Sequence, residues 1–369
     1  AVNIAFVTSS KIWSGVKTWM LEFGAELRHR GHAVHVFASD ERFLSACWDH
    51  DLDVHPMRFG SDYNPASIMR FSRALRALHI DVACMNLNKD LRTAGIAARG
   101  LGIPVVHRVG LVGDLTAKWD ARLAQRYLVD GILVTSQWLK TALLARYPFL
   151  SKDRIRAVYN GKRVEPVVPA ERPRRRVRFV AASRLAPDKN HLDLLQACAT
   201  LRAEGHETFA CDIFGDGPME PMLRQAIERM DLGGTVTLRG FAGKVAHRLQ
   251  AYDFGILPSQ REALSNTLLE FQAAGLPVVA SHVGAAGEVV TQGENGYLYE
   301  AGDIAALTAH MRTCLLMDAA TYQAMAEVAR STIRQRFHFH KVAGELEAYF
   351  RDLATLADRR GHAQTPQPA

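Results

Sequence analysis

Residues 259–280 read SQREALSNTLLEFQAAGLPVVA, and this stretch predicts a helix that leads directly into a buried strand. Gly275 stands where a left-handed residue ends a helix, and Pro277 prevents the helix from continuing. The β-branched pair Val278-Val279 then begins an apolar strand. A helix followed at once by a buried strand is the repeating unit of a parallel α/β sheet, so the stretch predicts that fold class.

The start of the same helix carries two carboxylates and a set of free backbone amides. Glu262 lies on the loop before the helix, and Glu270 lies in its second turn. Either of two residues at the helix start, Ser or Asn, can cap it. The backbone N–H groups that would point out of this helix N-terminus and could bind an anion belong to Ala263, Leu264, Ser265, Asn266 and Thr267.

These groups together suit a bound nucleotide diphosphate. Amides hold phosphate, while carboxylates accept hydrogen bonds from the sugar hydroxyls at the two ends of such a ligand. The alternative is that Glu262 is a solvated residue beside a cap and that Glu270 is a surface residue of the helix.

Strand and helix patterns alternate on both sides of a segment rich in Pro and Arg. In the first half, strands are predicted at 2–7, 33–37, 81–86, 104–109 and 131–135. In the second half, a strand at 177–182 and a helix from His191 precede strands near 209–214, 235–239, 254–257 and 277–281. The two series predict an α/β protein with two Rossmann-like domains whose strand carboxyl ends face each other across a cleft.

The domain boundaries follow from this alternation. We expect an N-terminal domain over 1–165, a linker over 166–176 and a second Rossmann-like domain over 177–335. The helical pattern near the C-terminus predicts a helix over 336–357 that packs back on the N-terminal domain. A disordered tail is expected over 358–369.

The basic residues are concentrated in the first half of the 369-residue chain. Residues 1–165 contain 23 Lys/Arg and 15 Asp/Glu, a net charge of +8, whereas residues 166–369 contain 22 and 23, a net charge of −1. This excess favours an anionic partner or membrane surface on that half, with Lys17, Arg70, Arg73 and Arg76 as candidate contacts. The alternative is a solvated helix face. Nucleic acid is not expected, because no basic motif is interleaved with aromatic residues.

The cysteine pattern predicts a reducing compartment. The five cysteines are scattered without a CxxC pair, and no stretch approaches the roughly 18 to 20 apolar residues of a membrane span. We therefore expect a cytoplasmic protein.

Arg184 and Lys189 flank a proline turn after the first strand of the second half. Because strand carboxyl ends share one edge of a parallel sheet, both cations are predicted beside the start of the glutamate helix. An Arg offers a fork to phosphate oxygens, and a Lys offers a movable point charge. The alternative is a pair of solvated loop cations.

Glycines after other strands add donor contacts. The run FGDGP at 214–218 lacks the third glycine of a dinucleotide fingerprint, so Gly215 and Gly217 are interpreted as a turn that approaches a base or ribose. Phe241 could wall a nucleobase or fill the core. Gly15 could contact a phosphate or form an ordinary turn. The aspartate-rich run at 49–53 lies away from the predicted cleft and is not interpreted as a metal site.

Taken together, these segments resemble the GT-B glycosyltransferases of the retaining family GT4 over nearly the whole chain. In the second half the resemblance is carried by Ser183-Arg184-Leu185 with Lys189, Phe214-Gly215-Asp216-Gly217-Pro218, Glu262 with Glu270, residues 275–281, and Glu288 with Asn295-Gly296. In the first half it is carried by the Gly15 loop, residues 30–34 and Asn160-Gly161.

The resemblance implies a role for each matched residue. Arg184 and Lys189 would bind the donor diphosphate and stabilise its charge as the bond to the sugar breaks. Glu262 would contact the donor sugar, and Glu270 would hold the ribose hydroxyls. The resemblance also implies that neither a metal nor another cofactor is needed, and that the acceptor attacks from the side of the leaving phosphate.

The sequence departs from the family pattern on the acceptor side. A histidine often lies six residues after a strand proline in the first domain, but six residues after Pro104 stands Gly110. His107 is the nearest histidine and is a candidate catalytic residue. Strand alternation points it to the opposite face, and a core role is the alternative. The family's paired glycines near Glu288 are replaced by Gly284-Ala285.

The implied function is a metal-independent, retaining hexosyltransferase. Its donor would be a nucleotide-diphosphate sugar, with UDP favoured over GDP by family frequency. Its acceptor would be a glycan or lipid-linked glycan, anionic in character, as in lipopolysaccharide or exopolysaccharide biosynthesis. We expect the enzyme in the cytoplasm, with peripheral contact to the inner face of an anionic membrane. The alternatives are a nucleotide-sugar epimerase of the same architecture and a binding protein with a degenerate site.

Overall fold

The computed structural model describes residues 1–13, 15–164, 176–243 and 245–363, with the side chains of the last helix described up to residue 356. The chain divides into two compact units. Unit 1 comprises Ala1–Asn160 together with the C-terminal segment from His340, and unit 2 comprises Gly161–Phe339. The predicted linker falls almost entirely on 165–175, which lies outside the described residues.

The described residues form thirteen strands and fourteen α-helices. The strands are β1 (Asn3–Thr8), β2 (Ala33–Ala38), β3 (Asp53–Pro56), β4 (Val82–Met85), β5 (Val105–Val109), β6 (Gly131–Val134), β7 (Ile155–Ala157), β8 (Val177–Ala182), β9 (Phe209–Phe214), β10 (Val236–Gly240), β11 (Phe254–Leu257), β12 (Val278–Ser281) and β13 (Gly296–Tyr299). The helices are α1 (Gly15–His29), α2 (Glu41–Trp48), α3 (Pro65–Ala77), α4 (Asn88–Asp90), α5 (Ile96–Gly100), α6 (Trp119–Tyr127), α7 (Gln137–Arg146), α8 (His191–Ala203), α9 (Glu220–Arg229), α10 (Asn266–Ala273), α11 (Ala286–Val289), α12 (Ile304–Leu315), α13 (Ala319–Arg336) and α14 (Phe339–Ala363).

Each unit is built on one parallel sheet. Unit 1 has seven strands in the order β3-β2-β1-β4-β5-β6-β7, and unit 2 has six in the order β10-β9-β8-β11-β12-β13. The direction of winding reverses between β1 and β4 in unit 1 and between β8 and β11 in unit 2. Ligands of open α/β sheets bind at the carboxyl ends of the strands at such a switch point. The predicted α/β class with two Rossmann-like domains is confirmed.

Buried apolar runs explain why these strands form the sheet centres. In β8 and β11, Phe179 and Phe254 are fully buried, and their ring centroids lie 5.9 Å apart. Predominantly apolar, buried strands of this kind are typical of parallel sheets covered on both faces. Three shorter strands, β3, β7 and β13, were not predicted.

The last helix packs on α1 of unit 1 through a set of ion pairs. Arg30 places Nε 3.0 Å from Glu26 and Nη1 3.1 Å from Glu347 of α14. His340 Nδ1 lies 2.8 Å from Glu26 Oε1. The ring of Phe350 lies 6.2 Å from that of Phe6 in β1, so the helix also contributes to the apolar core.

The boundaries of this helix differ from the expected ones. It begins at Phe339, three residues later than predicted. The reason is that Phe337 is the C-cap of α13 and His338 forms a β-bridge with Lys162. Its backbone continues as a helix to Ala363, past residue 358, where the sequence predicts the start of a disordered tail. Residues 364–369 lie outside the described residues.

No helix among the described residues has the length and apolar character needed to cross a membrane. All five cysteines are buried free thiols.

Candidate functional site

The centre of the candidate site is an ion pair between the two switch-point strands of unit 2. The loop after β8 carries Lys189 and the loop after β11 carries Glu262, and Lys189 Nζ lies 2.6 Å from Glu262 Oε1. Ser259 donates its hydroxyl to the same carboxylate oxygen at 3.0 Å. Lys189 and Glu262 keep only 19% and 16% of their side-chain surface exposed, so the pair is largely shielded from water.

Hydrogen bonds to backbone carbonyls hold the two loops together. The N–H of Gln260 donates to the carbonyl oxygen of Asp188 at 2.8 Å, and Thr267 Oγ1 donates to the carbonyl oxygen of Ala182 at 2.9 Å. Asn190 adopts a left-handed conformation with φ of 52°, which turns the chain from the loop into α8. The Lys189 loop and the start of α10 are therefore one connected assembly.

The start of α10 has the predicted form. Ser265 is the cap, and its hydroxyl accepts from the N–H of Leu268 at 3.3 Å. The backbone N–H groups of Ala263 and Leu264 donate to no residue that the structure describes. Asn266 and Thr267, the first two residues of α10, are half-buried. This helix end thus offers donors and a positive dipole end beside the Lys189–Glu262 pair.

A neighbouring loop packs closely against the Glu262 loop. Gly284 has φ of +57°, and a Cβ there would overlap the carbonyl oxygen of Glu262. The N–H of Ala285 donates to the carbonyl oxygen of Ala263 at 2.7 Å. The Gly284-Ala285 pair therefore fixes the backbone just before α10, and only glycine fits at the first position.

Gly215 and Gly217 approach protein backbone rather than open space. A Cβ on Gly215 would overlap the carbonyl oxygen of Ser183, and one on Gly217 would overlap that of Leu185. The N–H of Leu185 donates to the carbonyl oxygen of Asp216 at 2.7 Å. The close contacts that the structure shows for these glycines are with the segment that carries Arg184, and their approach to a base or ribose stays a prediction.

Arg184 itself is exposed at this edge. Its side chain makes no hydrogen bond or ion pair with any residue that the structure describes. Its guanidinium is thus available to a ligand, in contrast to the paired Lys189. Phe241 follows β10 at the same edge and is 72% exposed, which excludes the alternative that it fills the core.

Glu270 has a cationic partner that the sequence did not reveal. Lys162 Nζ lies 3.0 Å from Glu270 Oε1. Lys162 is held by its backbone, since its N–H donates to Phe337 at 2.8 Å and its carbonyl accepts from Phe339 at 3.1 Å. Lys162 and Glu270 are 108 positions apart in sequence, and no local pattern signals their contact. The predicted motif Asn160-Gly161 ends immediately before this lysine.

A buried histidine contacts the residue that precedes Arg184. His191 is 2% exposed, and its Nε2 lies 3.0 Å from Ser183 Oγ. Burial lowers the pKa of His191 to about 4, and the nearby Lys189 cation lowers it further in the same direction. The imidazole is therefore neutral near pH 7.

In unit 1, the predicted catalytic histidine lies in the core. His107 is 1% exposed, and its Nδ1 lies 2.7 Å from Gln125 Nε2 on α6. Burial lowers the pKa of His107 to about 4. The core alternative is therefore the better interpretation, and the catalytic assignment is withdrawn, because a side chain enclosed in this way has no surface to offer a substrate.

Two other predicted residues of unit 1 have different surroundings. Gly15 is exposed and is the first residue of α1, and its contact with a phosphate stays a prediction. Lys17, expected to face an anionic partner, is instead fully buried and paired with Asp40, and its Nζ lies 5.3 Å from the Phe43 ring centroid. Arg70, Arg73 and Arg76 are exposed on α3.

Among the described residues, no group of three or more His, Cys, Asp or Glu side chains is arranged to hold a metal ion. The cations of the candidate site are Arg184, Lys189 and Lys162.

Two family models match the chain over most of its length. The model described as "Glycosyltransferase Family 4" matches residues 13–166, and the one described as "Glycosyl transferases group 1" matches residues 176–317. The chain belongs to the group 1 glycosyltransferases of family 4, which have the GT-B fold.

Solved structures share the same fold. An Anabaena protein, HepE, crystallised in complex with UDP, aligns with a TM-score of 0.83 at 20% identity and covers 95% of this chain and 100% of that one. The lipopolysaccharide outer core galactosyltransferase WaaB aligns with a TM-score of 0.73 at 19% identity over 92% of this chain and 98% of that one. At these identities the likeness is one of fold.

Among proteins of known activity, the N-acetyl-alpha-D-glucosaminyl L-malate synthase of Bacillus anthracis is 30% identical over 161 residues, which are 44% of this chain and 42% of that protein. The chain spans less than half the length of the curated relatives it matches.

Proposed function

We propose that this protein is a retaining glycosyltransferase that moves a sugar from a UDP-sugar to a glycan or lipid-linked acceptor. The observation that carries the proposal is the Lys189–Glu262 pair, which lies beside the capped start of α10 and the exposed Arg184 at the switch point of unit 2. Such an arrangement supplies cations and backbone amides for a diphosphate next to a carboxylate for sugar hydroxyls.

The chemistry follows from these positions. Arg184 and Lys189 bind the oxygens of the diphosphate, whose negative charge grows as the bond to the sugar breaks. Positive groups placed where this charge develops stabilise it most in the transition state, so they accelerate the reaction. The amides at the start of α10 add to this field, and no metal ion is required.

Glu262 accepts hydrogen bonds from the hydroxyls of the donor sugar. The Lys189 cation, 2.6 Å from Glu262, offsets the repulsion between this carboxylate and the diphosphate. The acceptor hydroxyl then attacks from the face that the phosphate leaves, and the departing phosphate oxygen takes its proton. The new glycosidic bond keeps the anomeric configuration of the donor.

Glu270 accepts from the ribose hydroxyls of the nucleotide. The ion pair with Lys162 orients this carboxylate, which favours the acceptance of hydroxyl hydrogen bonds. Phe241, at the same sheet edge, offers a flat surface to the base. The UDP complex of the structurally similar HepE supports UDP over GDP.

We propose an anionic, lipid-linked acceptor of surface glycan synthesis, made in the cytoplasm at the inner face of the membrane. The net charge of +8 over residues 1–165 supports an anionic partner for unit 1. The free thiols support a reducing compartment. The galactosyltransferase WaaB, named for the lipopolysaccharide outer core, supports this acceptor class.

The experiment is a thermal-shift panel of UDP-, GDP- and ADP-sugars, followed by product analysis with the best ligand. A binding donor raises the apparent melting temperature by mass action. Incubation with EDTA and an acceptor glycan should give a product with the donor's anomeric configuration by NMR. Recovery of an isomeric nucleotide sugar without acceptor would indicate the epimerase instead, and failure to bind any nucleotide diphosphate would contradict the proposal.

A further inference from the structure

Helix α6 of unit 1 presents an unusual outward face. Three large apolar side chains stand along it at intervals of four residues: Trp119 is 76% exposed, Leu123 45% and Tyr127 58%. Isolated exposed apolar residues are common on protein surfaces, but a contiguous stripe marks an interaction site. Residues four apart share one face of a helix, so these three form such a stripe.

The same face is basic. Arg122 and Arg126 lie between the apolar residues and are exposed, and Lys118 precedes the helix and is exposed as well. The single acid of the helix, Asp120, is turned aside, where its carboxylate pairs with Arg92 at 2.7 Å. The outward face of α6 therefore combines aromatic and aliphatic side chains with uncompensated positive charge.

The inward face fixes the helix on the unit. Ala121, Ala124 and Gln125 are buried, and Gln125 bonds to His107 of β5. The backbone carbonyl of Gln125 also accepts from Arg154 Nη2 at 3.0 Å. Since the packing of α6 uses only this inward face, the outward stripe makes no contribution to the core.

We propose that the outward face of α6 docks on the surface of an anionic phospholipid bilayer. Trp and Tyr prefer the headgroup boundary, apolar groups enter the acyl edge, and Arg binds lipid phosphate, which is the composition of interfacial helices. This inference deepens the membrane contact of the proposed function by naming its surface.

A second copy of this chain fits the face less well. In a two-fold contact the face would meet itself, which would bring Arg122 and Arg126 against their own copies. Like charges at a desolvated contact are unfavourable, whereas lipid phosphates complement them.

The proposal also differs from the position that the sequence suggested. Arg73 and Arg76 of α3 are exposed and basic. The one large apolar side chain exposed on that helix, which the structure describes in full, is Met69, at 52%. Charge without an apolar stripe gives weaker and fully salt-sensitive attraction.

The test measures co-sedimentation of the protein with vesicles of phosphatidylglycerol and phosphatidylcholine, and with vesicles of phosphatidylcholine alone. Two variants probe the face: Trp119→Ser/Leu123→Ser/Tyr127→Ser removes the stripe, and Arg122→Glu/Arg126→Glu reverses its charge. The matched control is Arg73→Glu/Arg76→Glu, which makes the same charge change on α3. Thermal unfolding of each variant verifies that these exposed substitutions leave the fold intact.

We expect the wild type to bind the anionic vesicles, and both α6 variants to bind about tenfold more weakly or less. The α3 control should bind within about twofold of the wild type, and about 1 M salt, with a Debye length near 3 Å, should weaken but not abolish wild-type binding.

Three results would overturn the proposal: no wild-type binding to anionic vesicles at low salt, equal binding by the α6 variants, or equal loss in the α3 control. Loss of a wild-type dimer in the stripe variant, without vesicle binding, would assign the face to a second copy. No nucleotide sugar is present in this assay, so failure here would leave the transfer reaction to be judged by its own experiment.

Discussion

Lys189 Nζ lies 2.6 Å from Glu262 Oε1, although the two residues are 73 positions apart in sequence. The contact joins the loops of the two strands at which the sheet of unit 2 changes direction. Lys189 is proposed to bind the phosphate and Glu262 to bind the sugar, so one ion pair joins the groups that contact the two sides of the bond that breaks. Removal of either Lys189 or Glu262 should therefore affect the binding of both the phosphate and the sugar.

We expect Lys189→Ala and Arg184→Ala to lower the transfer rate by ~10²-fold or more, because each removes a fixed cation from the leaving diphosphate. Steady-state kinetics with the best donor measures this effect. Arg229→Ala is the matched control, since Arg229 is an exposed arginine at the end of α9, and it should be silent. Turnover close to wild type in both site variants would refute the assignment.

The pair of Lys162 and Glu270 predicts a selective loss of ribose recognition. Glu270→Gln should weaken UDP binding by about tenfold and should abolish the preference for UDP over 2′-deoxy-UDP, because a site built for a hydroxyl penalises its absence. Lys162→Met should act in the same direction, since it frees Glu270 from its partner at 3.0 Å. Calorimetry with both nucleotides measures the two effects, and the exposed Glu294→Gln serves as control. An unchanged preference in Glu270→Gln would place the ribose elsewhere.

Gly217→Ala should damage the site through the backbone. The new Cβ would overlap the carbonyl oxygen of Leu185, and the φ of +151° is unfavourable for alanine, at a cost of about 1–3 kcal/mol. The displaced Leu185 should move Arg184 with it, so that donor affinity falls together with stability. Gly233→Ala is the control, because its Cβ meets no atom within 4 Å. Urea unfolding and donor titration test both effects, and equal behaviour of the two variants would contradict this role.

The buried histidines predict an acid-sensitive contribution to stability. The pKa of His191 falls from 6.5 to about 4 on folding, so the unfolded chain binds the extra proton. The contribution of neutral His191 to the free energy of unfolding is therefore fully present above pH 6.5. It is lost as the pH falls from 6.5 towards 4, and the loss is about 2 kcal/mol at pH 5. Urea unfolding of the wild type and of His191→Gln at about pH 7.5 and 5 measures the difference.

The comparison between variant and wild type is needed because another buried group changes the free energy of unfolding with pH in the opposite direction. Burial raises the pKa of Asp90 to about 7, so its contribution falls as the pH rises between 3.8 and 7. The variant should lose less stability on acidification than the wild type. Equal losses would mean that His191 is protonated in the folded protein.

Local sequence predicted most of the sheets. The strands at 177–182, 209–214 and 254–257 have the predicted bounds, because each is a mostly apolar run bounded by loop residues. The strand Asp53–Pro56 was missed, since it lies at a sheet edge, is only partly buried and contains Asp, His and Pro. Its polar composition is typical of a loop.

The same limit applies to the candidate site. A cap at Ser265 or Asn266 and a left-handed conformation of Gly275 are predictions from neighbours in sequence, and the structure has Ser265 as the cap and Gly275 left-handed. Lys17 was interpreted from its charge alone, whereas its burial depends on Asp40, which follows the adjacent strand β2. Pairs that form only when distant strands become neighbours leave no local pattern to detect.

The path of the chain has a consequence for biosynthesis. Unit 2 is a continuous segment, Gly161–Phe339, whereas unit 1 requires both ends of the chain. Domains fold as units during synthesis, with N-terminal ones usually first. Here that order should be reversed in its last step: the sheet of unit 1 is synthesised before unit 2 but lacks α14, so Phe6 lacks its partner Phe350 until the segment after unit 2 has been made. The nascent first half would then expose apolar surface while unit 2 matures, which makes it the segment that a chaperone would be expected to bind.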